Sequence, residues 1–198
     1  MRMFLTLLAS HTPLDEKETN DLTLMRELAA SLERPFARDQ WPAHFTGSAV
    51  VADPSGTRVV MLHHAKLNRW LQPGGHAETA DGGDLRLTAT REAREETGLE
   101  VELLSSAPLD VDVHTIPARS SEPSHRHLDV RFLFIAKNPE ALTYNPNESF
   151  GAQWLTFSDA FERADEAPLK RLLTKAHHRL QELGAKRQLN AKDGVARP

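Results

Sequence analysis

Gly74-Gly75-His76, followed from position 91 by Arg91-Glu92-Ala93-Arg94-Glu95-Glu96-Thr97-Gly98-Leu99, is the stretch that decides how this chain folds. Asp84 is a good helix N-cap, residues 85–97 contain neither Gly nor Pro, and Gly98 sits where a left-handed C-terminal cap is wanted. The spacing therefore predicts a helix over 85–97. Within it Glu92, Glu95 and Glu96 stand at i, i+3 and i+4, inside an arc of roughly 100°, beside an apolar stripe of Leu85, Ala89 and Ala93. Like charges at that spacing repel by a few tenths of a kcal/mol per pair, more where water is excluded, so the turn calls for a cation. Clustered carboxylate oxygens suit Mg²⁺ or Mn²⁺, which leave positions for water and substrate phosphates. Read alone, the same acids could form a solvated face neutralised by Arg91 and Arg94.

In its second half the stretch resembles the Nudix (MutT-like) hydrolase signature, G-x5-E-x7-R-E-U-x-E-E-x-G-U, with U a bulky apolar residue. Arg91, Glu92, Glu95, Glu96, Gly98 and Leu99 match in type and spacing, and Ala93 is a small version of the apolar position. The first half departs: the sixth position after Gly75 is Asp81 instead of Glu, and nine residues, not seven, separate it from Arg91. The first acid is thus Asp81, Asp84 or absent, and altered loop geometry is expected more than lost chemistry. Leu71-Gln72-Pro73-Gly74-Gly75-His76 before the box, and His125, His127, Asp129, Arg131 and Phe132 after it, are most similar to a bacterial subgroup of the family.

The resemblance implies an α/β fold, an α/β/α sandwich with a mixed β-sheet, carrying here N-terminal and C-terminal helices as well. It implies hydrolysis of a diphosphate bond in a nucleoside diphosphate linked to another moiety, an oxidised nucleoside triphosphate being one candidate. By residue-wise carry-over, Glu95 and Glu96 are metal ligands and Glu92 is a ligand or the base that orients water. The Gly75 carbonyl is a further ligand, and Arg91 fixes the helix side chains. Glu148, six residues before Trp154, is a candidate for a further metal ligand or base, or else an ordinary loop acid. His76 and His127 are candidates for phosphate or leaving-group contact, Asp129 for a wall of the site, Trp70 for stacking on a base, and Arg69 and Lys66 for meeting phosphate. Each of these has a plainer alternative in packing or solvation.

Composition narrows the classes. A formal charge of -4 with dispersed basic residues gives no case for a nucleic-acid polymer as partner, and an RNA-end processing enzyme would need a basic channel that is not evident. Zero Cys excludes disulfides and thiolate metal sites. The paired histidines, His63-His64, His125-x-His127 and His177-His178, have no partner set at a known zinc spacing, so zinc is not expected. The segment 1–9 has an interrupted apolar run and no clean cleavage site, and no stretch approaches the ~18 apolar residues of a membrane span, so the reading is cytoplasmic with no membrane partner.

Three regions follow: a helical extension over 1–41 packed on the main domain, a Nudix domain over 42–183, and a disordered tail over 184–198. Leu22, Leu24, Met25, Leu28, Ala29 and Leu32 predict one N-terminal helix that ends before Pro35. Strands are predicted near 46–52, 58–63, 101–104, 109–116 and 128–136, with a hairpin turn at Asp53-Pro54-Ser55-Gly56. A turn-rich loop covers 117–124, a short strand 153–157, a helix capped by Ser158-Asp159 follows, and a last helix covers 168–183. The N-terminal helix serves equally as an intramolecular cover or as the interface of a homodimer. The competing function is a non-catalytic nucleotide-binding or sensor module, against which the retained Glu92, Glu95 and Glu96 argue.

Overall fold

A computed structural model describes residues 2–119 and 122–194. Along the chain run α1 (Arg2–Ala9), α2 (Glu16–Ser31), β1 (Ala43–Ala52), β2 (Arg58–His64), β3 (Arg69–Leu71), β4 (Gly74–His76), a 3₁₀ turn (Thr79–Asp81) and α3 (Leu85–Thr97). Then follow β5 (Val101–Leu103), β6 (Asp110–Ile116), β7 (His125–Ala136), a second 3₁₀ turn (Pro139–Ala141), β8 (Ser149–Thr156), α4 (Phe157–Arg163) and α5 (Ala167–Gly194).

β7, the strand with the richest apolar pattern, is the spine of an eight-stranded mixed sheet. β1 lies parallel to it from Ala43↔Arg126 to Ala52↔Ile135, while β5 and β6 pair antiparallel with it. The expected hairpin is present but pairs at its base, Ala52↔Val59, and then opens. Into the opening go β4, on β1, and β3, on β2, joined by Gln72-Pro73. β8 runs antiparallel to β2.

Period-two alternation divides the apolar residues between two faces. Phe45, Ala49 and Val51 of β1, with Leu128, Val130, Phe132 and Phe134 of β7, pack against α1, α2 and α3. Val50 and Ala52, with Val59, Met61 and Leu133, pack against α4 and α5. Helices therefore cover both sides of the sheet, an α/β/α arrangement. α3 crosses β1 at Gly47, where a Cβ would stand 2.7 Å from the Leu85 carbonyl oxygen. That close approach sets the height of the acidic helix above the sheet.

Three expectations are corrected. The segment 2–9 is a helix of its own, α1, because Phe4 and Leu8 are buried in the core, Phe4 edge-on to Phe36 and Phe45. The cap of α4 is Thr156, whose hydroxyl accepts from the Asp159 amide, not Ser158-Asp159. The tail is not structureless, since α5 continues to Gly194; residues 195–198 lie outside the described residues, as do Ser120 and Ser121 of the predicted loop.

Candidate active site

Asp84 and Gly98 cap α3 as predicted, Asp84 accepting from the Arg86 amide and Gly98 adopting φ 69°. Its acidic face meets the start of β4 at the two glycines. The Gly74 amide donates to Glu96 Oε2 at 2.8 Å. At Gly75 a Cβ would stand 2.5 Å from Glu92 Oε1, so only the missing side chain makes room for that carboxylate. At Gly74 a Cβ would collide with Ser48, so the second glycine is needed on the opposite side of the strand.

Arg91 organises the turn. Its Nη1 donates to Glu92 Oε1 and to Glu95 Oε2, both at 2.9 Å, and its Nη2 donates to the His76 carbonyl at 2.7 Å. Nε and Nη2 together grip Asp81 at 3.2 and 3.0 Å. Asp81 is buried and accepts in addition from the Glu78 amide and the Thr88 hydroxyl. Of the two candidates for the first acid, Asp81 is therefore the one bound to Arg91, whereas Asp84 caps the helix and pairs with Arg86. The 3₁₀ turn and the left-handed Gly82 and Gly83 take up the extra loop length before Asp84.

Electrostatically the site is short of positive charge. Burial pushes Glu96 up to about 8, against the Gly74 hydrogen bond, with Glu92, Glu148 and Glu95 adding repulsion. Burial likewise pushes Glu92 up to about 7, although Arg91 opposes it. Glu95 and Glu148 are exposed at the rim, and the charge of Glu148 reaches half-buried Glu92 and buried Glu96. Glu92, Glu95 and Glu96 on one face of α3 beside the two glycines, with Glu148 near enough to repel Glu92 and Glu96, are hard oxygen donors of the kind that suits Mg²⁺ or Mn²⁺.

Three other predicted contacts lie elsewhere. Asp129 is buried, and its carboxylate accepts from Thr46, Ser48 and Arg131 at 2.7–3.0 Å, which leaves no wall for a substrate. Trp70 is covered by its own chain: His63 stacks on it at 5.0 Å and 10°, and the Arg163 guanidinium lies 4.6 Å over the ring. Arg69 pairs with Asp165 and Glu166 in the α4–α5 connection. A strand three residues long turns these side chains into packing and pairing that local sequence does not encode.

His76 and His127 are brought together, their Nε2 atoms 3.2 Å apart, and His44 completes a group of three whose ligand nitrogens all lie within 4.8 Å. His44 is a residue that the sequence reading passed over. Its Nδ1–H donates to the Gln40 carbonyl, leaving Nε2 as a lone pair; among the described residues it is the buried side-chain polar atom without a hydrogen-bond partner. Leaving such an atom unsatisfied costs about 1–3 kcal/mol. Burial, reinforced by neighbouring histidines, lowers His44, His76 (to about 4) and His127, so all three rings are neutral near pH 7. The signal in the sequence was weak because the three come from β1, β4 and β7, more than thirty residues apart in each step.

Comparison with known proteins adds the family context. The family model described as NUDIX domain matches residues 43–176. A C. elegans Ap4A hydrolase, solved as a binary complex, superposes with a TM-score of 0.56 at 20% identity, over 70% of this chain and 98% of that one. A hydrolase of the NUDIX family from Clostridium perfringens superposes with a TM-score of 0.51 at 25% identity, over 71% of this chain and 97% of that one. No curated protein matches by sequence. Among the described residues no helix is long and apolar enough to cross a membrane.

Proposed function

We propose, for a chain that belongs to the NUDIX domain family, that it hydrolyses a diphosphate bond in a nucleoside diphosphate linked to another moiety, with Mg²⁺ or Mn²⁺. The observation that carries this reading is the acidic face of α3 set against two glycines: buried Glu96 accepts from the Gly74 amide at 2.8 Å, and half-buried Glu92 fills the space that a Cβ at Gly75 would take. Charge of one sign withdrawn from water is costly unless a cation compensates it, and Arg91, already committed to Asp81, pairs with Glu92 and Glu95 but not with Glu96.

Glu95, Glu96, Glu92, the Gly75 carbonyl and, from the rim, Glu148 would hold the metal. When bound, such an ion neutralises phosphoryl oxygens and acidifies a coordinated water. The chain's own residues do the rest. A carboxylate of this face that the ion does not take up, Glu92 being the candidate, would accept the proton of the attacking water. Arg91, anchored on Asp81, keeps Glu92 and the glycine loop in register, a positioning role. The likeness to an Ap4A hydrolase, at 20% identity, bears on the fold; dinucleotides enter the test on equal terms with other substrates.

Release of phosphate or nucleoside monophosphate is measured from nucleoside triphosphates, dinucleotides and nucleotide sugars, with Mg²⁺ or Mn²⁺, for the native protein beside Glu96→Gln. The amide preserves an acceptor for Gly74 and removes the charge. Metal-dependent turnover that falls by about 10²-fold or more in the variant is the expected result. Equal turnover by both proteins would remove the basis of the assignment, and metal-independent nucleotide binding without turnover by either would favour a sensor module.

A further inference from the structure

We propose that His44, His76 and His127 form a second metal site, distinct from the carboxylate site, that takes a borderline transition-metal dication, zinc foremost. Three strands supply the ligands: His44 from β1, His76 from β4 and His127 from β7, with their ligand nitrogens within 4.8 Å of one another. The nitrogens of a tetrahedral zinc site stand about 3.3 Å apart, as a Zn–N bond of about 2.0–2.1 Å requires. His76 Nε2 and His127 Nε2 are 3.2 Å apart. Closing the third nitrogen onto them needs a tilt about imidazole χ2, a torsion with a broad minimum.

A single N–H···N bond between His76 and His127 would explain their proximity but leaves His44 Nε2 bare in the interior. The Nδ1–H of His44 is committed to the Gln40 carbonyl, which fixes the tautomer with the lone pair on Nε2; a ligating histidine commonly has such a backbone partner. His125, its own Nδ1 directed to the Pro123 carbonyl, stacks on His44 at 5.0 Å and packs on Trp41 at 4.6 Å, walling the group. No carboxylate belongs to the group, so its ligand chemistry is all imidazole, which selects Zn²⁺, Ni²⁺ or Co²⁺ over the hard ions suited to Glu92, Glu95 and Glu96. Three protein ligands leave a fourth position for water.

The two sites share one residue's backbone. The His76 carbonyl accepts from Arg91 Nη2 at 2.7 Å, and the same guanidinium holds Glu92 and Glu95. Metal on the His76 ring would therefore tie β4 to β1 and β7 and stiffen the glycine loop against which α3 sets its carboxylates.

The test is equilibrium dialysis of the chelator-stripped full chain against Zn²⁺ in excess Mg²⁺, with Co²⁺ absorption as a second readout. The native protein is compared with His44→Gln, His127→Gln and the double variant Glu92→Gln/Glu96→Gln. One equivalent of zinc is expected in the native protein and in the carboxylate variant. Loss of a ligand in either histidine variant should weaken it by more than about 100-fold, the upper end of what losing an outer partner costs. Bound Co²⁺ should give the intense visible bands of tetrahedral nitrogen ligation. The proposal is overturned if the native protein binds no zinc, if folded histidine variants bind it as the native protein does, or if the equivalent disappears in the carboxylate variant. Should the histidine variants not fold, the native Co²⁺ spectrum decides, octahedral oxygen ligation overturning the site. None of these readouts is hydrolysis, so the failure of this site and of the hydrolase reading are seen separately.

Discussion

At the scale of single residues, Asp81 shows how an altered signature still sets an acid on Arg91. The carboxylate that grips Arg91 sits on a 3₁₀ turn, and the two extra loop residues are absorbed by left-handed Gly82 and Gly83. Asp81 is held below the usual carboxylate range: burial would raise it, but hydrogen bonds from Arg91, the Glu78 amide and Thr88 outweigh burial. Two neighbouring acids thus have separable consequences. Asp81→Asn should release Arg91 and lower turnover by about 10²-fold, the scale of a misplacement near 1 Å at a reacting centre. Asp84→Ala should cost about 1 kcal/mol of stability through the lost cap while leaving turnover within a few-fold. Kinetics and thermal melts of the two variants side by side check this; equal kinetic effects would count against Asp81 as the anchor. The sequence reading left the first acid as Asp81, Asp84 or absent, and the direction of the Arg91 side chain singles out Asp81.

At the scale of elements, the site depends on how closely α3 lies on β1. Helix and strand meet at Gly47, where a Cβ would stand 2.7 Å from the Leu85 carbonyl oxygen, 3.0 Å from Thr88 Cβ and 3.2 Å from the Ala89 amide. Two of these three neighbours are backbone and cannot swing away. Gly47→Ala should therefore lift the start of α3 and destabilise the fold by about 1–3 kcal/mol, the usual range for an overpacked interior. Chemical denaturation measures the loss, and a variant as stable as the native protein would show that the helix rests elsewhere. The helix itself was legible in full, from its caps to its acidic face, because caps and periodicity are local properties. β3 and β4 were not, since three-residue strands gain their pairing from β2 and β1 across the opened hairpin.

At the scale of the whole molecule, one buried ionic network ties the N-terminal helices to the C-terminal one through the sheet. Glu18 of α2 accepts from His11 at 2.7 Å, from Lys175 of α5 at 2.5 Å and from the Leu14 amide at 2.6 Å. Arg171 of α5 reaches Asp110 at 2.7 Å, and Arg131 of β7 joins Asp110 to Asp129. Burial alone would raise the Glu18 carboxyl, but its hydrogen bonds outweigh that effect and hold it far below its ordinary 4.5. A carboxyl lowered in the folded state binds fewer protons there than in the unfolded chain. Its stabilisation is fully present above about pH 4.5 and is lost as pH falls below it toward the folded value. Urea midpoints should accordingly drop steeply below about pH 4.5 in the native protein and less steeply in Glu18→Gln. At pH 7 that variant should be destabilised by about 1–3 kcal/mol, because Lys175, His11 and the Leu14 amide lose a charged acceptor while Lys175 keeps Asp110 at 3.5 Å. Parallel acid profiles for the two proteins would remove Glu18 from this role.

By itself the sequence determined the acidic helix, its caps, the principal strands, the family resemblance and the acids that face the glycines. The helix, its caps and its acidic face follow from periodicity and spacing within a short stretch, where chain geometry dictates which side chains share a face, and the resemblance follows from the match to a known signature. The tertiary structure decided the rest. It gave Trp70 and Asp129 partners inside the chain and Arg69 an exposed ion pair with Asp165 and Glu166, made α1 part of the core, and carried α5 past the expected start of the tail. It also gathered His44, His76 and His127, because parallel and antiparallel pairing with β1 brings residues remote in sequence into register: His44 lies opposite His127, and Thr46 opposite His76. Register is a property of pairing between strands, and no local pattern in one strand contains it.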